Sequence, residues 1–505
     1  MRLAAIAGLV WFCVLCLLTS LAAGQCDLRA GDSVWIQLTA PVASYSSKAG
    51  QKLSALVLQS PNCTGTPALP LGTEVSGRVI AVQKLGLGFF HESASLKLLF
   101  DRIDLKQEEE LHLDATLLEI DNAREIVRNG IVRGILTTDS PEGRITSRLR
   151  HLPTWNPYTG WSMLAFRLTF PMMPEPEIYL PAGTQLRLRV NSPLVMPQST
   201  EVAEVPEPTS PDLAVRLRAA PDRTTTPKGV ASDLVNLALI GTQEQVERAF
   251  LSAGWIESDR LTTASVVREF GALLRLASYP AEPISSQWLQ GVPADLNYQK
   301  SFNSYAKRAH VRIYEYGSVE AGDPLWLASY TRETGAGFSA RHHKFIHHVD
   351  ADVDSGRDRL VNELQLAGCI RSSSVVDRPL MLREVINATG DPMRTQGQLP
   401  VANLQDCPSP GLNPPLAEAQ LQRRPRLKIV RYCRTQILGL RTDLTRGNVL
   451  FAVFDLTRMG IRALRHAAPL PPAVLASGDH GNKPAPTIGA AAPTKPEPEL
   501  HPTTR

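Results

Sequence analysis

The segment from His342 to Asp358 gathers four histidines and four aspartates. Imidazole and carboxylate are ordinary ligands for zinc, manganese or iron. A histidine beside a carboxylate is also a general acid–base pair. Geometry limits which of these residues can act together. On a strand, neighbouring side chains point to opposite faces, so His347 and His348 diverge, and His343 lies about 13 Å along the strand from His347. The set that could share one face, if the strand continues, is His348, Asp350 and Asp352. These are the candidate ligands for a divalent metal, and His348 with Asp350 is the candidate acid–base pair. His310 and Arg312, on one face of an earlier strand, and His347 and Asp354 are their possible neighbours. Asp350, Asp352 and Asp354 also have the D-x-D-x-D spacing of a calcium loop. Ser355 stands where that loop wants glycine, and Val361 where it wants a bidentate glutamate. Against every chemical reading stands a structural one, which is the leading one. Asp354 or Ser355 would cap a helix, Asp358 would favour its positive end, and Arg357 would pair with the other aspartates.

The elements that would position this segment can be read from periodicity. Ala309 to Tyr316, Leu325 to Arg332 and His342 to Val349 read as an antiparallel meander, with turns at Gly317, Gly322 and Pro324 and at Gly335 and Gly337. A helix beginning near Ser355 follows, with Leu360, Val361, Leu364 and Ala367 apolar and Gly368 as its stop. Upstream, Leu234 to Ile240 suggests a buried strand, and Thr242 caps a helix with Val246, Ala249, Phe250 and Ala253 on one face. A second helix is expected from Thr263 to Leu276. Sheet plus segregated helices gives an α+β domain over residues 230–407.

Residues 25–197 read as a β-rich barrel or sandwich. Val34, Ile36 and Leu38 alternate with Trp35, Gln37 and Thr39, and Leu186, Leu188 and Val190 alternate with Arg187 and Arg189. Three turns of one kind precede such runs: Leu28 to Asp32, Leu69 to Thr73 and Leu180 to Thr184. Each holds a glycine able to take positive φ. Trp155, Tyr158 and Trp161 cluster in a less regular stretch. Residues 198–229, rich in Pro, Thr, Ser and acid, are expected to be a linker, residues 408–468 a small extension with strand-like runs at Leu427–Ile437 and Val449–Leu456, and residues 469–505 a disordered tail.

Composition narrows the function classes. The chain has 505 residues, 43% hydrophobic and 20% charged, with a formal charge of +4. That excess does not argue for nucleic acid as a partner. Arg2, the apolar run from Ala4 to Leu21 and the small residues Ala22, Ala23 and Gly24 describe a secretory leader over residues 1–24. An uncleaved anchor is the alternative, since the run nears the length that spans a bilayer. Cys26 and Cys63 could pair in an oxidising compartment, while Cys369, Cys407 and Cys433 leave an odd number. No G-x-S-x-G, P-loop, dinucleotide fingerprint or H-E-x-x-H occurs.

The second domain resembles the LssY C-terminal domain family. The matching residues are Asn236 to Thr242, Ala253-Gly254-Trp255 with Asp259, Arg312, His347 to Asp354 with Arg357 and Asp358, and Asn387 to Asp391. The resemblance implies a bacterial envelope setting but no established reaction or catalytic residues. Relatives are often joined to membrane modules similar to lipid phosphatases, and no such signature is present in this sequence. The expectation is an exported protein of the periplasm or cell envelope, interacting with envelope proteins or a membrane surface, without catalysis of its own. The alternative is a metal-assisted hydrolase of lipid or phosphoester substrates, using the His347–Asp358 segment.

Overall fold

The computed structural model describes residues 26–63, 66–105, 110–136, 176–196, 209–259, 281–304, 306–339 and 344–408, with isolated positions at 262, 265 and 279 and between 429 and 464. Trp155, Tyr158 and Trp161, most of the Thr263–Leu276 stretch, His342 and His343, the Val449–Leu456 run and the tail lie outside the described residues.

The N-terminal sheet has nine strands. They are β1 (Ser33–Leu38), β2 (Lys52–Gln59), β3 (Glu74–Gln83), β4 (Ser95–Asp104), β5 (Glu110–His112), β6 (Ala115–Ile120), β7 (Ile126–Arg128), β8 (Ile131–Arg133) and β9 (Gln185–Val190). The order is β7-β8-β4-β3-β2-β1-β9-β6, with β5 on β4, a nearly closed, barrel-like arrangement. The three turn glycines account for much of the register. Gly31, Gly72 and Gly183 take φ of +97°, +78° and +86°, a region a side chain disfavours. Each then donates its N–H to a neighbouring strand: Gly31 to Val190, Gly72 to Val57 and Gly183 to Leu38.

The alternation in β1 marks a strand with one buried face, yet Trp35 and Gln37 are buried as well as Val34, Ile36 and Leu38. The second domain covers the outer face. Its main sheet contains β10 (Leu237–Ile240), β11 (Ile256–Glu257), β12 (Leu296–Lys300), β13 (Ala309–Ser318), β14 (Pro324–Ser339), β15 (Lys344–Val349), β16 (Ile370–Asp377) and β17 (Gln398–Leu404). The order is β11-β12-β13-β14-β10-β17-β16, with β15 on β14. β12, β13 and β14 form an antiparallel meander, and β10 runs parallel to β17.

Three helices pack on this sheet: α1 (Pro211–Arg218), α2 (Gln243–Ser252) and α3 (Val353–Leu366). Helices α2 and α3 share one face, where Val246, Phe250, Leu360 and Leu364 meet Trp255 and Tyr330. Helix α1 covers the other, with Ala214 and Leu217 against Leu325 and Leu327. Thr242 and Gln245 form a reciprocal capping box on α2. Gly356 lets α3 lie close on β14, since a Cβ there would stand 2.5 Å from the Tyr330 ring.

Two sequence expectations change. Residues 209–229 are not linker: Ser210 caps α1, with a proline in its first turn, and Arg223–Thr225 pairs with Ala231–Leu234. Proline suits a first helical turn, so its abundance there does not signal a flexible chain. The described positions of the Leu427–Ile437 stretch are helical, not extended. Val430, Arg434 and Leu438 recur every fourth residue, and Leu438 enters the core of the N-terminal domain. Arg434 pairs with Glu177 at 3.0 Å.

Disulfides join Cys26 to Cys63 and Cys369 to Cys407, while Cys433 is free and exposed. No helix among the described residues is long and apolar enough to cross a membrane.

Candidate functional site

Strand β15 ends at Val349, so the alternation that would have aligned His348, Asp350 and Asp352 stops before the aspartates. Each of the three goes to a different partner. His348 Nδ1 lies 2.8 Å from Asp391 Oδ1. Asp391 is held by Thr389, whose hydroxyl donates to its other oxygen at 2.9 Å. Asp350 pairs with Arg332 at 2.8 Å. Asp352, rather than Asp354 or Ser355, caps α3 by accepting from the Ser355 N–H at 3.2 Å. Asp354 accepts from Arg357 at 2.9 Å, from the Thr395 hydroxyl at 3.0 Å and from the Gln396 N–H at 2.6 Å.

His347 points away from His348, into a buried charge cluster. Its Nδ1 lies 2.9 Å from Glu333 Oε2. Arg308 donates to the same Glu333 oxygen at 2.8 Å and pairs with Glu282 at 3.3 Å. His310, almost wholly buried, has Nδ1 3.6 Å from Glu333 Oε1 and no hydrogen-bond partner on that atom. Burial works against ionised Glu333, but Arg308 and then His347 hold its carboxyl far below the usual range. Burial also opposes charge on His347, yet Glu333 outweighs it and raises the imidazole. His310 is driven well below the ordinary histidine range by burial and by Arg312. Two adjacent strand positions on opposite faces therefore hold histidines in unlike electrostatic settings.

Arg312 does not join this cluster. It is buried with Asp233 at 3.1 Å, and its Nε donates to the Ser285 carbonyl at 3.1 Å. Of the sequence-derived residues, then, only His310 and His347 come together, at a carboxylate already engaged by Arg308. Among the described residues no group of three His, Cys, Asp or Glu side chains is arranged to hold a metal ion.

A charge assembly centred on Arg332 joins the two domains. Arg332 pairs with Glu119, with Asp121 at 2.7 Å and with Asp350 at 2.8 Å. Arg359 of α3 reaches Asp121 at 3.5 Å and stacks 4.0 Å over the Trp35 ring of β1. Burial penalises Asp121, but Arg332 and Arg359 more than offset it and lower its carboxyl. Nearby, Glu363 of α3 accepts from Gln185, from Lys300 and from the Trp255 indole. Asn362 donates to the Leu58 carbonyl at 2.8 Å. Asp121 and Glu119 carry no local sequence signal, since their partners lie some two hundred residues away in sequence. The Asn387–Asp391 stretch was matched as family sequence, yet nothing in its spacing identifies Asp391 as the partner of His348.

This geometry defines a class of protein: a β-rich chain in which a nearly closed barrel-like sheet is fastened, through a shared helix, to an α+β domain. The α+β domain is of the LssY C-terminal type, since residues 217–399 match the family model described as LssY C-terminus. No curated protein matches the chain. Among solved structures it is similar to ComB10 of the Com Type IV secretion system of Helicobacter pylori, at 13% identity over 35% of this chain and 93% of that one, with a TM-score of 0.19. A likeness that slight bears on neither fold nor function.

Proposed function

We propose that this is an exported cell-envelope protein whose LssY C-terminal-type domain is a structural and interaction module rather than a reaction centre. The observation that carries the reading is the way the His347–Asp358 segment uses its charges. Asp350 goes to Arg332, Asp352 to a helix cap, Asp354 to Arg357 and Thr395, and His347 to Glu333. Groups engaged this fully hold a fold and leave little for a substrate. Export is supported by the apolar leader and by two disulfides, which persist in oxidising compartments. N-terminal sequencing of the native protein, with fractionation, tests it: recovery in the cytosol with Met1 retained overturns export.

One observation favours the second reading, hydrolysis of a lipid or phosphoester. The His348 side chain is 51% exposed while its Nδ1 is oriented by Asp391, as a general base is. The two readings separate in a phosphatase and esterase screen of the full chain beside His348→Ala and Asp391→Ala. The interaction reading predicts the same background in all three. Turnover lost in both variants, with unchanged melting, establishes the hydrolase.

A further inference from the structure

Strand β16 (Ile370–Asp377) ends the main sheet on one side and, among the described residues, pairs with β17 alone. On the other side the sheet ends in β11, which has two residues and is too short to invite a further strand. β16 has eight residues, with neither lysine nor proline among them, and its one irregularity is a bulge between Ile370 and Ser372. The phase of its ladder is set by Arg378, whose N–H donates to the Gly397 carbonyl at 2.8 Å. Hydrogen-bonded pairs alternate along an antiparallel ladder. Val376 and Ser374, opposite Leu399 and Val401, therefore also turn their backbone groups toward β17. Pro400, which has no N–H, stands opposite Val375, where none is needed on that side. The N–H and C=O groups of Ser373, Val375 and Asp377 thus face the open edge. Among the described residues none of them has a backbone partner.

The edge complements itself. A second copy laid antiparallel, with Ser374 opposite Ser374, brings Ser373 of each chain opposite Val375 of the other. The outward backbone groups of both copies then meet as hydrogen-bonded pairs. The same register sets Asp377 of each copy against Arg371 of the other, beside the bulge. Both side chains are exposed. Arg371 has no ion pair among the described residues, and Asp377 there accepts only a long hydrogen bond, 3.4 Å, from Gln398. Val375 is 55% exposed and in this register becomes the diagonal neighbour of its own copy. The Thr209 hydroxyl, just before α1, meets the Ser374 side chain and not its backbone.

We propose that two copies of this chain associate edge to edge through β16, about a two-fold axis at Ser374, so that their main sheets become continuous. The occupant is a second copy because the edge's one cation and one anion lie equally far from Ser374 on opposite sides, a pattern that matches its own reverse. Such a contact is closed: each copy covers the edge of the other and leaves none for a third. The proposal is independent of the envelope reading.

Sedimentation equilibrium of the full chain at low salt tests it, and a reversible monomer–dimer equilibrium is expected. Val375→Pro removes an N–H that faces the open edge, so it spares the ladder with β17 and deletes one bond from each copy. The dimer Kd should rise at least about tenfold, with the melting of the dilute protein unchanged. Asp377→Arg sets like charges opposite each other and should raise the Kd about fivefold. Adding Arg371→Asp to it should restore the original value. Should Val375→Pro melt early, the charge reversal and its rescue, both at exposed positions, decide alone. Association that a normally melting Val375→Pro leaves untouched belongs to another part of the chain, such as the apolar N-terminal run, and overturns the proposal. So does a charge reversal that the second reversal fails to rescue, or a chain that stays monomeric up to on the order of 100 μM.

Discussion

Strand β14 passes through two regions that use charge for different ends. At Arg332 it enters the junction between the domains, where Glu119, Asp121, Asp350 and Arg359 are mutually engaged around Trp35. Beyond Glu333 it pairs with β15, whose His347 goes to Glu333 and whose His348 goes to Asp391, beside the Glu384–Ile386 and Pro392–Arg394 hairpin, near which Leu380 and Leu382 are exposed. The same segment, rich in His and Asp, contributes to both. A cluster of functional residue types therefore says little until its partners are known. At Arg332 the partners fasten the two domains; at His347 and His348 they lie within the second domain and hold β15 in place.

The comparison can be broken or sharpened by substitution. Arg332→Ala removes the centre of the junction and leaves Asp121 buried beside Arg359 alone. A loss of about 3–5 kcal/mol is expected, read by urea unfolding, with Arg332→Lys intermediate because it cannot form the same fork of contacts. A loss no larger than that of an exposed arginine would break the account of the junction.

Acid should act in the same place. The folded carboxyls of Asp121 and Glu333 lie below their unfolded values, so their stabilisation is complete above roughly pH 4–5 and disappears as pH falls through the folded values. His347, raised by Glu333, works the other way: its contribution is present below about pH 6.5 and fades as pH rises through its folded value. Unfolding free energy measured across this range should therefore fall steeply on the acid side, and Arg332→Ala should flatten that fall. An unchanged acid slope in the variant would separate the charges from the stability.

Smaller effects follow in order. Cys369→Ser opens a bridge with a sequence separation of 38 and should cost about 2–4 kcal/mol in oxidising buffer, with no added loss when a reductant is present. At exposed Leu382, substitution by Ser should change stability by no more than about 0.5 kcal/mol. A larger loss by thermal melting would mean that the hairpin leucines are part of a core.

Much of the fold was legible from local rules. The glycines at 31, 72 and 183 announced their turns because positive φ is a single-residue property. Thr242 announced α2 because a cap is read within four residues. Helix α1 was hidden by the prolines around it, although Ser210 followed by Pro211 and Asp212 is itself a helix-start pattern. The Val430, Arg434 and Leu438 stretch was hidden because a short apolar run fits a strand as well as a helix. At the candidate site, strand alternation correctly separated His347 from His348, but it could not show where β15 ends. Nor could it supply Asp391, Glu333, Asp121 or Glu119, since those contacts come from the packing of distant segments. The outer burial of Trp35 was illegible for the same reason: the element that covers it is α3, more than three hundred residues away.

A double-mutant cycle on Arg332 and Asp121 tests the central claim most directly. With Arg332→Ala, Asp121→Ala and the pair compared by urea unfolding, the account predicts a coupling above about 1.5 kcal/mol, because each partner's loss leaves the other buried with a close opposite charge removed. Additive effects, with a coupling indistinguishable from zero, would contradict the claim that the charges around Arg332 bind the two domains together.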